Sequence, residues 1–271
     1  MDASALRVGA GLRVRRCRVA RWLGAAGCVA CARPVPPPPA PAPVAPPAFD
    51  TLAPTDGRSS GIPTPPDPGV LWVAAVGDIQ MGPSVPEDPA LGPLRRAAPV
   101  LSAADLAIGN LEGPLTTRTP AKCRPGSATC FAFATPPHAA AHLAAAGLDV
   151  LSLANNHALD AGPLGRDDTE AALRAHGLEP VSGFRPATVR VRARGREARS
   201  VRVAVLGFAT AGHAPDLRRI DEVDTHVRRA ARDHDLVIVF FHGGAEGPDA
   251  LRVPYGTEQF LGEDRGDLRT F

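Results

Sequence analysis

The sequence predicts an α/β fold for residues 70–271, and three observations lead to that prediction. Apolar runs of strand length recur along this part of the chain, and stretches of helical character lie between them. Polar side chains follow directly on the ends of several of these runs. Strands that alternate with helices build a sheet that is largely buried, so we expect β-sheet layers flanked by α-helices.

The individual elements follow from local apolar patterns. The polar-apolar alternation of Thr188–Arg194 and Ser200–Val205, on either side of a turn at Gly195, predicts a β-hairpin with one half-exposed strand. A further helix is expected from Thr257 onward. The remaining strands are expected at Val70–Val76, Ala104–Gly109, Leu148–Leu153, Val201–Phe208 and Leu236–Phe241, and the helices at Pro137–Ala146, Pro163–His176 and Ile220–His234.

The N-terminal third of the chain is organised differently. Residues 1–32 combine several arginines with a short apolar stretch, which is typical of a signal peptide and too short to span a bilayer. Small residues before Cys28 resemble a lipoprotein cleavage site, and Cys31 is a second candidate for lipid attachment. Residues 33–69 are rich in proline and predict an extended linker. This layout predicts an exported, membrane-tethered protein of the cell envelope; the alternative is a leader produced by a wrong start codon.

Composition and charge exclude some classes of function. The chain has 271 residues, is 44% hydrophobic and carries a formal net charge of +2, which is too balanced for a nucleic-acid-binding surface. Cys123 and Cys130 enclose a short loop with proline and glycine, which favours a disulfide and therefore an oxidising compartment. Two free thiols are the alternative, and the spacing is too long for a zinc knuckle.

The ends of four predicted strands carry side chains of metal-ligand type. In open α/β sheets such residues meet in one crevice beyond the carboxyl ends of the strands. Carboxylate, amide and imidazole donors together favour one or two Mn, Fe or Zn ions over Ca. Taken singly, each of these motifs also fits a turn, a helix cap or a loop histidine, but the run from Asn155 to Asp160 is unusual for a turn that holds nothing. The strand-end residues are Asp78, Asn110, Glu112, Asn155, Asn156, His157, His242 and Glu246.

The order of these motifs resembles that of the bacterial capsule synthesis (CapA) family, also called poly-γ-glutamate synthesis proteins and related to calcineurin-like metallophosphatases. The most specific segment is Ser152–Asp160, and Phe133–Pro136 also resembles the family's segment before a helix. The resemblance implies a metallophosphatase-like sandwich of β-sheets flanked by α-helices. It also implies work on an anionic surface polymer or with its membrane synthase complex, and not on nucleic acid.

The resemblance further implies a metal centre and a hydrolytic site. Catalytic roles fall to His157, Asp160 and Glu246, with His157 orienting or protonating the leaving group. In the family a further histidine motif follows, so we expect the fold to be incomplete at the C-terminus and activity to be weak; a compact natural variant is the alternative. The implied metal ligands are Asp78, Glu112, Asn156, His157 and His242.

Two other functions remain open at this point. A non-catalytic assembly factor would bind the polymer through arginines of the predicted hairpin, although such a run is also typical of a solvated strand face. The chain would alternatively be an inactive gene fragment. The hairpin arginines are Arg190, Arg192, Arg194, Arg196, Arg199 and Arg202.

Overall fold

The computed structural model describes residues 70–127, 130–192, 200–211, 213–247, 250, 252 and 256–267. In this part of the chain the helices are α1 (Ala98–Leu101), α2 (Ala139–Ala145), α3 (Gly162–Ala175) and α4 (Ile220–Asp233). The strands are β1 (Val73–Ile79), β2 (Leu106–Leu111), β3 (Val150–Ser152), β4 (Glu179–Val181), β5 (Ala187–Arg192), β6 (Ser200–Ala209), β7 (Leu236–His242), β8 (Thr257–Phe260) and β9 (Glu263–Asp267).

The strands form two larger sheets and a separate hairpin. The first sheet has the order β1-β2-β3-β4 with all neighbours parallel. In the second sheet β6 lies in the middle, antiparallel to β5 and parallel to β7. The hairpin predicted around Gly195 is confirmed for its strands, which pair as β5 and β6. Strands β8 and β9 pair only with each other among the described strands.

The side chains of β2 and β6 show how the layers stack. Because successive side chains of a strand point to opposite faces, Leu106 and Ile108 of β2 pack with Val203 and Val205 of β6 between the two sheets. The intervening Ala107 lies in the cluster that α1, α2 and α3 bury on the other face of the first sheet. On the far side of the second sheet, β6 contributes Ala204, Leu206 and Phe208 to a cluster with α4. The predicted sandwich of sheets flanked by helices is therefore confirmed.

The helix expected from Thr257 is wrong, since this segment forms the β8–β9 hairpin. Its glutamate, glutamine, leucine and arginine residues favour a helix by propensity, but the backbone reverses at Leu261 and Gly262, whose φ angles are 51° and 82°. Two consecutive positive φ angles make the tight turn that matches the twist of a two-residue β-hairpin. A tertiary contact, the hydrogen bond from Gly244 N to Arg265 O (2.8 Å), also holds β9 in place.

Candidate metal centre

Three of the predicted metal ligands come together at the carboxyl ends of strands from both sheets. Asp78 lies near the end of β1, Glu112 directly follows β2, and His242 is the last residue of β7. One ligand atom from each residue lies within 4.8 Å of the other two. The pairing of β1 with β2 shifts by one residue at Gly77, and this irregularity sets Asp78 beside Asn110 of β2.

The side-chain amide of Asn110 lies between the two carboxylates. Its Nδ2 donates hydrogen bonds to Asp78 Oδ1 at 2.7 Å and to Glu112 Oε2 at 2.8 Å. The same nitrogen is 3.4 Å from Nδ1 of His242. Asn110 is 1% exposed, so its amide is fixed within the protein and both carboxylates share one donor group.

The orientation of the Asn110 amide follows from a chain of hydrogen bonds that begins at the backbone. The backbone N–H of His157 donates to Asn155 Oδ1 at 3.0 Å, so the Asn155 Nδ2 group points away from His157 N. That group donates to the carbonyl of Leu111 at 2.8 Å and to Asn110 Oδ1 at 2.9 Å. Because Asn110 Oδ1 is thereby an acceptor, its Nδ2 group must face Asp78 and Glu112.

The imidazole of His242 is oriented by Asn156. Its Nε2 lies 2.8 Å from Asn156 Oδ1, an acceptor, so Nε2 carries the proton. The opposite nitrogen, Nδ1, then faces the carboxylates at 3.6 Å from Asp78 Oδ1 and 3.9 Å from Glu112 Oε2. Asn156, predicted as a metal ligand, therefore contacts His242 and fixes which ring nitrogen faces Asp78 and Glu112.

The three grouped side chains perturb one another electrostatically. The imidazole of His242 is the largest influence that holds the pKa of Asp78 below its usual range. Burial raises the pKa of the Glu112 carboxyl group. Burial alone would lower the pKa of His242, but nearby Asp78 and the negative charge of Glu112 outweigh it and raise that pKa above 6.5. The cluster thus favours positive charge at its centre.

His157 and Asp160 form a second, buried pair next to this cluster. Asp160 Oδ2 lies 2.7 Å from His157 Nδ1 and also accepts the backbone N–H of Phe133 at 2.7 Å. Because the Asp160 carboxylate accepts both hydrogen bonds, the imidazole proton of His157 is on Nδ1. The lone pair of His157 is then on Nε2, directed away from Asp160. That Nε2 is 3.8 Å from Glu112 Oε1, and His157 lines the pocket in front of the cluster. Asp160 itself is fully buried and reaches the pocket only through His157.

The residues on either side of a disulfide-closed loop lie next to the site. Cys123 and Cys130 are joined by a disulfide with a Cα–Cα distance of 5.6 Å. Just before it, Lys122 Nζ forms an ion pair with Asp160 Oδ1 at 3.1 Å and donates to the carbonyl of Asn156 at 2.9 Å. Just after it, the ring of Phe133 lies 4.3 Å from that of His157. Both ends of the loop are therefore held against the His157–Asp160 pair.

The cluster opens into a pocket of about 590 Å³. Glu246 lies on its rim, where Oε1 accepts from Asn156 Nδ2 at 3.4 Å and forms an ion pair with Arg265 Nη2 at 2.7 Å. The walls contain both aromatic rings and acidic groups. The lining residues are Asp78, Gln80, Glu112, Phe131, Phe133, His157, Phe241, His242, Gly243, Ala245, Glu246 and Arg265.

The structure thus separates the predicted site residues into two groups. Asp78, Glu112 and His242 present ligand atoms to one point, with His157 beside them, whereas Asn156 and Asp160 orient the two histidines. Several supporting residues were missed. Asn110 and Asn155 belong to the strand-end motifs named above. The sequence does not show whether such an amide binds a metal itself or holds a neighbouring ligand by a hydrogen bond. Lys122 and Arg265 approach from distant parts of the chain, so the sequence carried no local signal for them.

Some predictions concern residues outside the described part of the chain. These are the leader at 1–32 with Cys28 and Cys31, the linker at 33–69, and the hairpin arginines Arg194, Arg196 and Arg199. Among the residues that the structure does describe, no helix combines the length and the apolar character needed to cross a membrane.

Comparison with known proteins gives a family and similarities to solved structures. No curated protein matches the chain. A calcineurin-like phosphoesterase of known structure, YfkN from Bacillus subtilis, is similar with a TM-score of 0.42 and 15% identity, over 65% of this chain and 63% of that one. The chain thus spans less than two thirds of the length of that structure. The model of the bacterial capsule synthesis protein PGA_cap matches residues 72–252, a segment that contains all three grouped ligands and the His157–Asp160 pair. The chain therefore belongs to the bacterial capsule synthesis (PGA_cap) family.

Proposed function

We propose that this capsule synthesis protein is a metal-dependent hydrolase that acts on a surface polymer or on a precursor of that polymer. The observation that carries the proposal is the convergence of Asp78, Glu112 and His242, whose ligand atoms lie within 4.8 Å of one another at one rim of the two sheets. Two of these residues are acidic and repel each other, so bringing them together does not by itself stabilise the fold. A bound cation would compensate this repulsion.

The donor set fits a divalent transition metal. Two carboxylate oxygens and one imidazole nitrogen suit Mn, Fe or Zn better than Ca, which prefers oxygen ligands alone. Asn110 and Asn156 would act behind the ligands, because hydrogen-bonded partners fix the orientation of ligating groups. A bound divalent metal supplies Lewis acidity, which polarises the scissile group and lowers the pKa of bound water toward about 7. These three side chains would hold one ion, whereas a second ion would require further ligands.

His157 is the residue best placed to move a proton. Asp160 holds the proton on Nδ1, so Nε2 is free to accept a proton from water or to deliver one to a leaving group. Its position on the pocket wall beside Glu112 brings it near the reacting groups of a substrate bound in front of the cluster. Asp160 then acts as a positioning residue, and Glu246 supports Asn156 from the rim.

Hydrolysis of bis(p-nitrophenyl) phosphate by the manganese-loaded protein tests this proposal. We expect His157→Ala to lower kcat by about 10²–10⁴-fold while manganese content is retained, and Asp78→Ala to lose both manganese and activity. Asp167→Asn, which removes an exposed carboxylate on α3, serves as the matched control. Wild-type protein that binds manganese and hydrolyses neither phosphoesters nor the capsule polymer would refute the catalytic role.

A polymer-binding assembly factor is the second candidate, and one observation favours it. Arg190 of β5 and Arg202 of β6 are direct cross-strand partners, which places two like charges side by side on a strand pair. Such an arrangement is unfavourable unless solvent or an anion compensates it. Replacing both residues by glutamine should abolish binding of poly-γ-glutamate if this candidate is correct. If only Asp78→Ala and His157→Ala impair polymer formation, the metal site carries the function.

The proposed place of action is the cell envelope, with a tether through Cys28 or Cys31. The disulfide between Cys123 and Cys130 supports this proposal, because disulfides persist in oxidising compartments. Membrane fractionation of cells that express the full chain, together with the mass of the mature protein, tests it. A soluble cytoplasmic product that keeps its N-terminus would contradict it.

A further inference from the structure

Arg265 places a buried positive charge in the wall of the pocket. This residue belongs to β9, and its side chain is 7% exposed although it lines the pocket in front of the metal cluster. It also lies beyond residues 72–252, the segment that the family model matches. The charge is therefore a feature of this chain's C-terminal hairpin.

The hydrogen bonds of Arg265 are incomplete. Nη2 pairs with Glu246 Oε1 at 2.7 Å, but Nε is buried and has no hydrogen-bond partner among the described residues. A buried guanidinium N–H without an acceptor is costly, because charged groups lose strong hydration when they leave water. The contact with Glu246 therefore leaves the guanidinium only partly paired.

The position of the guanidinium is fixed by the fold. The carbonyl of Arg265 accepts the backbone N–H of Gly244 at 2.8 Å, which ties β9 to the loop that follows His242. The guanidinium carbon also lies 5.9 Å from the ring centroid of Phe260, on the partner strand β8. The side chain is therefore preorganised, and little conformational entropy would be lost when it binds a ligand.

The charges around the pocket indicate what such a ligand carries. The acidic residues Asp78, Glu112 and Glu246 line the same pocket as Arg265, and Glu246 pairs with it directly. A divalent cation would neutralise the first two, and Arg265 with the cation would then form two positive points on one cavity. An oxyanion is the group that both points attract, and a guanidinium is well matched to phosphate or carboxylate oxygens.

We propose that Arg265 binds an anionic oxygen of the substrate, and that Glu246 occupies the guanidinium as an internal carboxylate until the substrate displaces it. The inference rests on the proposed metal-dependent hydrolase function and adds to it a residue that binds the anionic group of the substrate. Phosphate esters and carboxylate polymers share this chemistry, so the test must separate them.

Calorimetric titration of the manganese-loaded full chain with inorganic phosphate, and separately with glutarate, tests the proposal. We expect Arg265→Gln to weaken binding of the preferred anion about tenfold or more. Arg265→Lys should weaken it less, because lysine keeps the positive charge and loses only the paired N–H donors of the guanidinium. Glu246→Gln should strengthen binding, because the internal competitor loses its charge. The anion whose binding Arg265→Gln weakens more, phosphate or glutarate, shows whether the substrate offers a phosphate or a carboxylate group to Arg265.

Arg218→Gln is the matched control. This arginine holds the same hairpin from outside the pocket, through Asp264 O at 2.9 Å, and should leave anion affinity unchanged. Manganese content and thermal unfolding of each variant separate a local effect from misfolding, and Arg265→Lys keeps the test informative if Arg265→Gln is unstable. Phosphate and glutarate affinities that Arg265→Gln leaves at the wild-type level, with manganese bound, would overturn the proposal. Failure of wild-type protein to bind manganese would instead refute the proposed function.

Discussion

The Nδ2 group of Asn155 donates a hydrogen bond to Oδ1 of Asn110 at 2.9 Å, and this contact decides which way the Asn110 amide faces. The side chain of Asn155 lies behind the cluster of Asp78, Glu112 and His242 and is fully buried. It acts on the carboxylates of Asp78 and Glu112 through Asn110, which donates to both.

Replacing Asn155 by alanine should weaken metal binding although no ligand is lost. Without the Asn155 Nδ2 group, the Asn110 amide is free to rotate and no longer orients both carboxylates. We expect manganese affinity to fall by about 10–100-fold, the usual effect of losing a group that orients metal ligands. The free energy of unfolding should also fall by roughly 1–3 kcal/mol, because His157 N and Leu111 O lose their buried partner. Manganese titration and urea denaturation measure the two effects; unchanged metal affinity would contradict this account of Asn155.

Replacing Lys122 by methionine should destabilise the fold more than the removal of an exposed ion pair. Lys122 is the cation beside the fully buried Asp160 carboxylate, so its loss leaves a buried charge with weaker compensation. We expect a decrease of about 2 kcal/mol or more in the free energy of unfolding.

Arg118→Met provides the comparison for Lys122→Met. Arg118 pairs with Asp168 at 2.8 Å, but both side chains are substantially exposed, so the loss of stability should be clearly smaller than for Lys122→Met. Urea denaturation of both variants at pH 7 measures the difference. Equal losses would show that the Lys122–Asp160 pair is screened by solvent and does not brace the site.

Metal affinity should fall as the pH is lowered. The pKa of His242 is raised above 6.5 by Asp78 and Glu112, against the opposing effect of burial, so below that pKa its Nδ1 carries a proton that a cation must displace. One displaced proton corresponds to an affinity loss of up to about tenfold per pH unit. Calorimetry at several pH values, in buffers of different ionisation enthalpy, measures both affinity and proton release. Constant affinity from pH 8 to about 5.5 would exclude His242 as a ligand.

The sequence predicted the sandwich and the strand ends well because these depend on local patterns. Asp78, Glu112 and His242 each follow or end an apolar run, and parallel strands bring such positions to one rim. The roles of Asn156 and Asp160 were less predictable, because the same polar atoms serve as ligands or as supports depending on which partner lies behind them. The β8–β9 hairpin was mispredicted, since helix-favouring residues there are overruled by the turn at Leu261 and Gly262 and by the contact to Gly244.

Manganese binding by purified wild-type protein, Asp78→Ala and His242→Ala tests the central claim most directly. The account predicts that the wild-type chain binds manganese and that each substitution weakens binding by about 100-fold or more, whereas the surface control Asp167→Asn binds normally. Thermal unfolding of the metal-free proteins checks that each variant is folded. Folded Asp78→Ala and His242→Ala proteins that bind manganese as tightly as wild type would contradict the claim that these strand ends form a metal centre.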